Sequence, residues 1–235
     1  MTQSPDSILG FITGPSVSFW FMHSVLNLFK NDAENRFNED WLLGFGPYVH
    51  ANRNQIQEQF MDTGRDWLLS VDNDIVFTPG DVWALYREAD KRGPGIYHGS
   101  YVLENGFQVC GVWNDEEPMV YHNLVALPEK PTEIGVVGMG FTLVHHEVFL
   151  ATGPEAFWPV DGRASGEDLS FSWRAREAGY TPILVPECNV GHHKMNVLYP
   201  HGQIRNSIGD EVGLVELDED LKELNRELME EVNTK

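Results

Sequence analysis

The chain contains no run of about 18 apolar residues, the length a helix needs to cross a bilayer, so no membrane-spanning helix is expected. Met1 to Asp6 contains neither the basic nor the apolar stretch of a secretion signal, and a cytoplasmic location is expected. Cysteine is scarce. Cys110 and Cys188 are far apart and match no metal-ligand spacing, which argues against a disulfide framework and leaves two reduced thiols as the simplest reading. Basic residues are also few, 16 Lys and Arg against 36 Asp and Glu, for a formal charge of −20. Duplex binding draws mainly on Lys and Arg neutralising phosphates, so a broad nucleic-acid surface is excluded while a local basic path stays open. There is no internal repeat and no Gly-x-x-x-x-Gly-Lys-Ser/Thr phosphate loop, which removes the simplest ATPase reading.

With 235 residues, 42% of them hydrophobic, the chain can bury one sizeable core, and a single domain over residues 1–210 is expected. Apolar runs alternate with helix-like segments. Ile8 to Thr13, Trp41 to Phe45 and Trp67 to Val71 read as strands, and Phe19 to Phe29, Ala51 to Met61 and Val82 to Ala89 as helices. Such alternation is the pattern of a mainly parallel sheet flanked by helices, in which ligands bind beyond the carboxyl ends of the strands. From Gly95 to Gly140 shorter β-like pieces take over (Gly95 to Val102, Phe107 to Trp113, Met119 to His122), which predicts a mixed second half. A strand over Phe141 to Val144, a helix over Gly166 to Ala178 and a strand over Thr181 to Val185 complete the body. Ten acids and three bases fall within Asp210 to Lys235, leaving −13 for the rest. In that tail Leu217, Leu221, Leu224 and Leu228 recur at helical spacing, so residues 211–235 read as an acidic amphipathic helix, docked on its own domain or joining a homo-oligomer.

The most informative segment is Leu68 to Phe77, where an apolar strand runs into Asp72-Asn73-Asp74 and then into another apolar stretch. A carboxylate beside a core is costly unless it is paired or holds a metal. Residues i and i+2 of an extended segment project to the same side, so Asp72 and Asp74 could approach one hard ion such as Mn²⁺ or Mg²⁺. The ion would bridge and neutralise a diphosphate. A solvated turn or a helix N-cap would use the same residues.

Four separated elements follow one another in the order Ala51-Asn52-Arg53-Asn54, the Asp72-Asn73-Asp74 triplet, Gly138-Met139-Gly140-Phe141, and Gly166-Glu167-Asp168-Leu169 followed by Gly191-His192. In this order they resemble the GT-A glycosyltransferases, particularly the inverting family-two-like members, including small stand-alone versions of the kind found in phages. The resemblance implies a Rossmann-like GT-A sheet and transfer from a nucleoside-diphosphate sugar, a UDP-sugar by the family's habit. For a viral chain the location would be the host cytoplasm. The nucleotide pocket would include Thr13, Gly14, Pro15 and Ser16 after the first strand, Arg53, and Asp72 with Asn73. Arg53 would equally suit an exposed helix surface, and Gly14-Pro15 an ordinary turn. Asp72, Asp74 and His192 would bind the metal. Gly138, Met139 and Gly140 would pass under donor and acceptor, where a side chain would collide, although tight packing also calls for glycine there. Asp168 would be the general base and Glu167 its support, while acids at a helix start also suit the helix dipole.

Lacking a membrane tail, the chain is expected to use a soluble acceptor: a protein, a saccharide, a small molecule, or a modified DNA base approached through Arg163, Arg174, Arg176 and Lys194. Two other classes compete. A metal-dependent nucleotidyltransferase would also pair carboxylates but has no use for Glu167-Asp168 with Gly191-His192. A non-catalytic binding protein could keep the fold without its chemistry.

Overall fold

The computed structural model describes residues 6–13, 17–37, 40–103, 106–114, 116–117, 119–160, 166–193, 197–198, 203–205 and 211–214. The first half alternates as expected: β1 (Ser7–Thr13), α1 (Phe19–Lys30), β2 (Trp41–Phe45), α2 (Val49–Thr63), β3 (Trp67–Asp72), β4 (Ile75–Val76), α3 (Pro79–Arg92) and β5 (Ile96–Ser100). The second half contains β6 (Cys110–Trp113), β7 (Tyr121–Asn123), β8 (Thr132–Glu133), β9 (Val136–Val137), β10 (Phe141–His145), α4 (His146–Thr152), α5 (Glu167–Glu177), β11 (Ile183–Asn189) and β12 (Gly191–His193). Three further strands follow: β13 (Val197–Leu198), β14 (Gln203–Arg205) and β15 (Glu211–Leu214). The expected acidic helix is a strand at its first four residues, 211–214, and from Val215 onward it lies outside the described residues.

Seven strands form the central sheet in the order β2-β1-β3-β10-β5-β11-β8. β1 pairs in parallel with β2 and β3, and β5 with β11, while β10 runs antiparallel between β3 and β5. β1, β2, β3, β5 and β11 therefore share one direction, and β10 and the edge strand β8 oppose it. Buried strands with apolar residues on both faces need cover on both faces. In β3, Leu69 and Val71 join the core under α1 and α3, while Leu68 joins the core under α2, α4 and α5. Cys188 and Cys110 are buried free thiols in these two different cores. On the second face α2 rides close: a Cβ added to Gly10 would lie 2.7 Å from Ile56 Cγ2.

Local signals explain the helix ends. Thr78 and Asp81 form a capping box around Pro79 at the start of α3, which satisfies amides that a helix N-terminus leaves open. Gly64, at φ +66°, ends α2 in the left-handed conformation. Among the described residues, no helix is long and apolar enough to cross a membrane.

Candidate functional site

The carboxyl end of β3, the segment entering β10, the start of α2 and the start of α5 meet at one end of the sheet. Asp72 closes β3, and its amide donates to the Gly140 carbonyl at 2.9 Å. The centre of the cluster is Arg53. Its side chain is 4% exposed and lies 3.0 Å from Asp72 Oδ1, 3.4 Å from Glu167 Oε1 and 3.6 Å from Asp168 Oδ1. A planar guanidinium with five donors is suited to hold several carboxylates at once. Burial alone would lower the Arg53 pKa, but Asp72, Asp168 and Glu167 carry it above its ordinary value. Arg53 is thus a buried hub, and the surface-helix alternative does not hold.

Glu167 and Asp168 open α5 behind Gly166 at the N-cap. Asp168 Oδ1 is buried without a hydrogen-bond partner, although Arg53 Nε is near. Burial pushes the Asp168 pKa up to about 7; Arg53 opposes this, the Glu167 and Asp72 charges add to it, and a hydrogen bond from the Met139 backbone lowers it. A carboxyl group titrating near neutrality can take a proton at ordinary pH and release it again.

The other half of the triplet is built by strand pairing. β12 lies antiparallel to β4, with His192 opposite Ile75, and the His193 amide donates to the Asp74 carbonyl at 2.7 Å. This ladder sets His192 Nε2 3.2 Å from Asp74 Oδ2 and Nδ1 2.9 Å from the Val102 carbonyl oxygen. The carbonyl can only accept, so Nδ1 carries hydrogen. In a neutral ring Nε2 then presents a lone pair to a carboxylate, a contact that only a proton or a cation makes favourable. Asp74 and His192 therefore meet, whereas Asp72 is turned to Arg53.

Gly138, Met139 and Gly140 precede β10 as expected, but protein fills the space beside the two glycines. A Cβ on Gly140 would stand 2.5 Å from the Tyr101 hydroxyl and 3.0 Å from Asp72 Oδ2, and one on Gly138 would meet the same hydroxyl at 2.5 Å. Tight packing accounts for both glycines. Met139 is buried in the core, and its carbonyl accepts from Ser70 Oγ at 2.8 Å. Thr13 ends β1, Asn73 lies in the turn after Asp72, and Gly14, Pro15 and Ser16 lie outside the described residues.

Sequence reasoning missed Tyr101. Its hydroxyl accepts the Gly140 amide at 2.9 Å, and its ring meets His192 edge-on, so one side chain supports both halves of the site. No motif marks it, because its partners lie far away in sequence. Of the basic residues considered for DNA, Arg174 donates to the carbonyls of Ala156 and Trp158, and Arg176 lies over Trp113 and Trp173. Arg163 and Lys194 lie outside the described residues.

A second group of ligand types converges at the opposite end of the sheet, where atoms of Asp66, His145 and His146 lie within 4.8 Å of one another. That spacing could hold a cation. His145 Nδ1 accepts the Glu147 amide at the start of α4, while His146 Nδ1, 3.6 Å from Asp66 Oδ1, is buried without a hydrogen-bond partner among the described residues.

No protein-family model and no curated protein sequence matches the chain. Solved structures do. The crystal structure of A197 from STIV, a viral protein, is similar at a TM-score of 0.65 and 17% identity, over 90% of this chain and 98% of that one. The crystal structure of GalNAc-T7 with UDP, GalNAc and Mn²⁺ is similar at a TM-score of 0.57 and 12% identity, over 81% of this chain and 44% of that chain. The chain thus spans under half of the GalNAc-T7 chain. Likeness at these identities speaks to architecture: the chain has a GT-A-like, Rossmann-type mixed α/β fold.

Proposed function

We propose that the chain is a metal-dependent, inverting glycosyltransferase that moves a sugar from a nucleoside diphosphate, UDP by family habit, to the hydroxyl of a soluble acceptor. One observation carries this reading: the general-base candidate Asp168 and the first acid of the triplet, Asp72, are held by the same buried Arg53. The fold shared with GalNAc-T7, whose structure contains UDP and Mn²⁺, supports it. So does the donor set. Three carboxylates, Asp72, Glu167 and Asp168, surround Arg53, and a fourth, Asp74, faces the Nε2 of His192, a contact that a proton or a cation makes favourable. Asp74 and His192, with Asp72, would hold Mn²⁺ or Mg²⁺, which when bound supplies charge neutralisation to the departing diphosphate.

The chain's own residues then have separate tasks. Asp168, with its pKa near 7, takes the proton of the acceptor hydroxyl as that oxygen bonds to the anomeric carbon. The bond from that carbon to the diphosphate breaks on the opposite face, which inverts the configuration. Glu167 shares Arg53 with the base and helps to keep its carboxylate in place. Thr13 to Ser16 and Asn73 are assigned to the nucleotide pocket on the resemblance alone.

The test is thermal stability against UDP, GDP, dTDP and CDP, with and without Mn²⁺, for wild type and Asp74→Ala. A Mn²⁺-dependent rise with one nucleotide, lost in the variant, followed by release of that nucleotide from its sugar conjugate, is the expected result. No rise with any nucleotide would favour the non-catalytic reading, and pyrophosphate release would favour a nucleotidyltransferase.

A further inference from the structure

Outside the carboxylate site, a groove of about 660 Å³ lies between α2 and the connection from α4 to α5. This is within the usual size of small-molecule sites. Its walls combine two chemistries. Trp158, Leu150 and Met61 supply apolar surface, while Asn54, Gln55, Glu58, Asp62 and Glu155 supply amides and carboxylates. Trp158 is 48% exposed and Leu150 65% exposed, although the adjacent Phe157 is only 2% exposed. Two large apolar side chains left in contact with water beside a cavity are the arrangement expected of a surface that meets a ligand.

The groove is held open by its own hydrogen bonds. Gln57 donates to the Gly153 carbonyl at 2.8 Å and accepts the Ala156 amide at 3.2 Å, which fastens the connection to α2 at both ends of one side chain. Asn54 Oδ1 accepts the Phe157 amide at 3.0 Å, and Arg174 donates to the Trp158 carbonyl at 2.6 Å. The Trp158 backbone is therefore pinned while its ring remains half exposed in a T-shaped contact with His50, centroids 4.8 Å apart. Glu155, on the same wall, has φ +62°, a conformation that few non-glycine residues adopt and that is concentrated at functional sites.

The polar groups restrict the occupant. Among the described residues the lining carries Glu58, Asp62 and Glu155 and no Lys or Arg, a charge that disfavours phosphates, nucleotides and nucleic acid. A sugar suits it. One face of a pyranose is apolar enough to stack on an indole, and its hydroxyls donate to carboxylates and accept from amides. Asn54 Nδ2 is a buried donor with no partner among the described residues. A sugar hydroxyl or a peptide carbonyl could satisfy that donor, so what favours a sugar over a basic peptide is the half-exposed indole face of Trp158 set among amides.

We propose that this groove binds a neutral saccharide, stacked on Trp158 and hydrogen-bonded by the amides and carboxylates of α2 and the α4–α5 connection. α2 carries both sites, since Arg53 faces the carboxylates and the next residue, Asn54, lines the groove. The binding does not depend on the transferase reading; that the bound glycan is the acceptor rests on it.

The experiment is calorimetric titration of maltotriose, cellotriose, N,N′-diacetylchitobiose and lactose into wild type, Trp158→Ala and Asp74→Ala, with no metal or nucleotide present. At least one sugar is expected to bind wild type, to bind Trp158→Ala about tenfold more weakly, and to bind Asp74→Ala unchanged. That last result separates the groove from the nucleotide site, so loss of the Asp74-dependent nucleotide response would leave this proposal standing. The absence of binding by all four sugars overturns it, as does undiminished binding by Trp158→Ala. Tighter binding of trilysine than of any sugar overturns it too. Should Trp158→Ala melt well below wild type, Leu150→Lys at the 65%-exposed position on α4 provides the same reading, and undiminished affinity there overturns the proposal.

Discussion

Replacing Arg53 by Met removes the positive charge that three carboxylates share. Removing one partner from a buried ion pair costs about 3–5 kcal/mol, because the remaining charge stays buried and uncompensated. Arg53 is 4% exposed, but Asp72, Glu167 and Asp168 retain 33%, 20% and 29% exposure. Water reaches the acids, so the expected loss is at the lower end, about 3 kcal/mol. In a domain of this size each kcal/mol lowers the melting temperature by about 2–4 °C, which gives a drop of about 6–12 °C at pH 8. The direction with pH follows from Asp168. Its pKa is already raised to about 7 with Arg53 in place, first by burial, and without Arg53 it moves higher still. The extra cost that the variant carries is present where wild type is ionised, above about 7, and is gone once both proteins bind the proton, so the gap between variant and wild type should narrow from pH 8 to pH 5. Scanning fluorimetry at both pH values reads this. A drop of less than about 1 kcal/mol, or the same gap at both pH values, would refute the description of Arg53 as the hub of a charged cluster. Arg53→Lys, whose compact ammonium cannot span three carboxylates, should fall between the two.

Three further outcomes follow from the same geometry. Asp168→Asn should match wild-type stability only below the ordinary carboxyl value of 3.8, exceed it by a margin that grows with pH up to about 7 and hold that margin above, while nucleotide-sugar turnover falls by about 10²–10⁴-fold; an active Asp168→Asn would remove it as the base. Tyr101→Phe leaves the Gly140 amide, now bonded to the hydroxyl at 2.9 Å, buried without an acceptor, and urea denaturation should show a loss of about 1–3 kcal/mol. Gly140→Ala would place a Cβ 2.5 Å from the Tyr101 hydroxyl and 3.0 Å from Asp72 Oδ2; a loss of about 1–3 kcal/mol is expected, and a variant as stable as wild type would show that the turn can give way.

The strands and helices of the first half were legible because their signals are local. Apolar runs such as Leu68 to Val71, helical spacing, and the Thr78-Pro79-Gly80-Asp81 start depend on residues within a turn or two of each other. The structure places β3 and α3 accordingly. The short strands were harder to read: the piece expected over Phe107 to Trp113 is a strand only from Cys110, with Gln108 joined to Val102 by a single antiparallel bridge, and β8 and β9 had no sequence signal, since two residues are too few to show a period.

By itself, the sequence determined an α/β chain with a carboxylate pair at a strand end, since the alternation of apolar runs and the cost of burying charge are properties of neighbouring residues. Which groups share the site was decided by the tertiary structure. Arg53 meets Asp72 across 19 residues and Glu167 across 114, Tyr101 meets Gly140 across 39, and His192 meets Asp74 across 118. The same is true of exposure: Phe157 and Trp158 are adjacent and both aromatic, yet one is core and the other faces water. Periodicity and capping cannot report such facts, because the surroundings of a side chain are set by whichever distant segments the sheet order brings beside it.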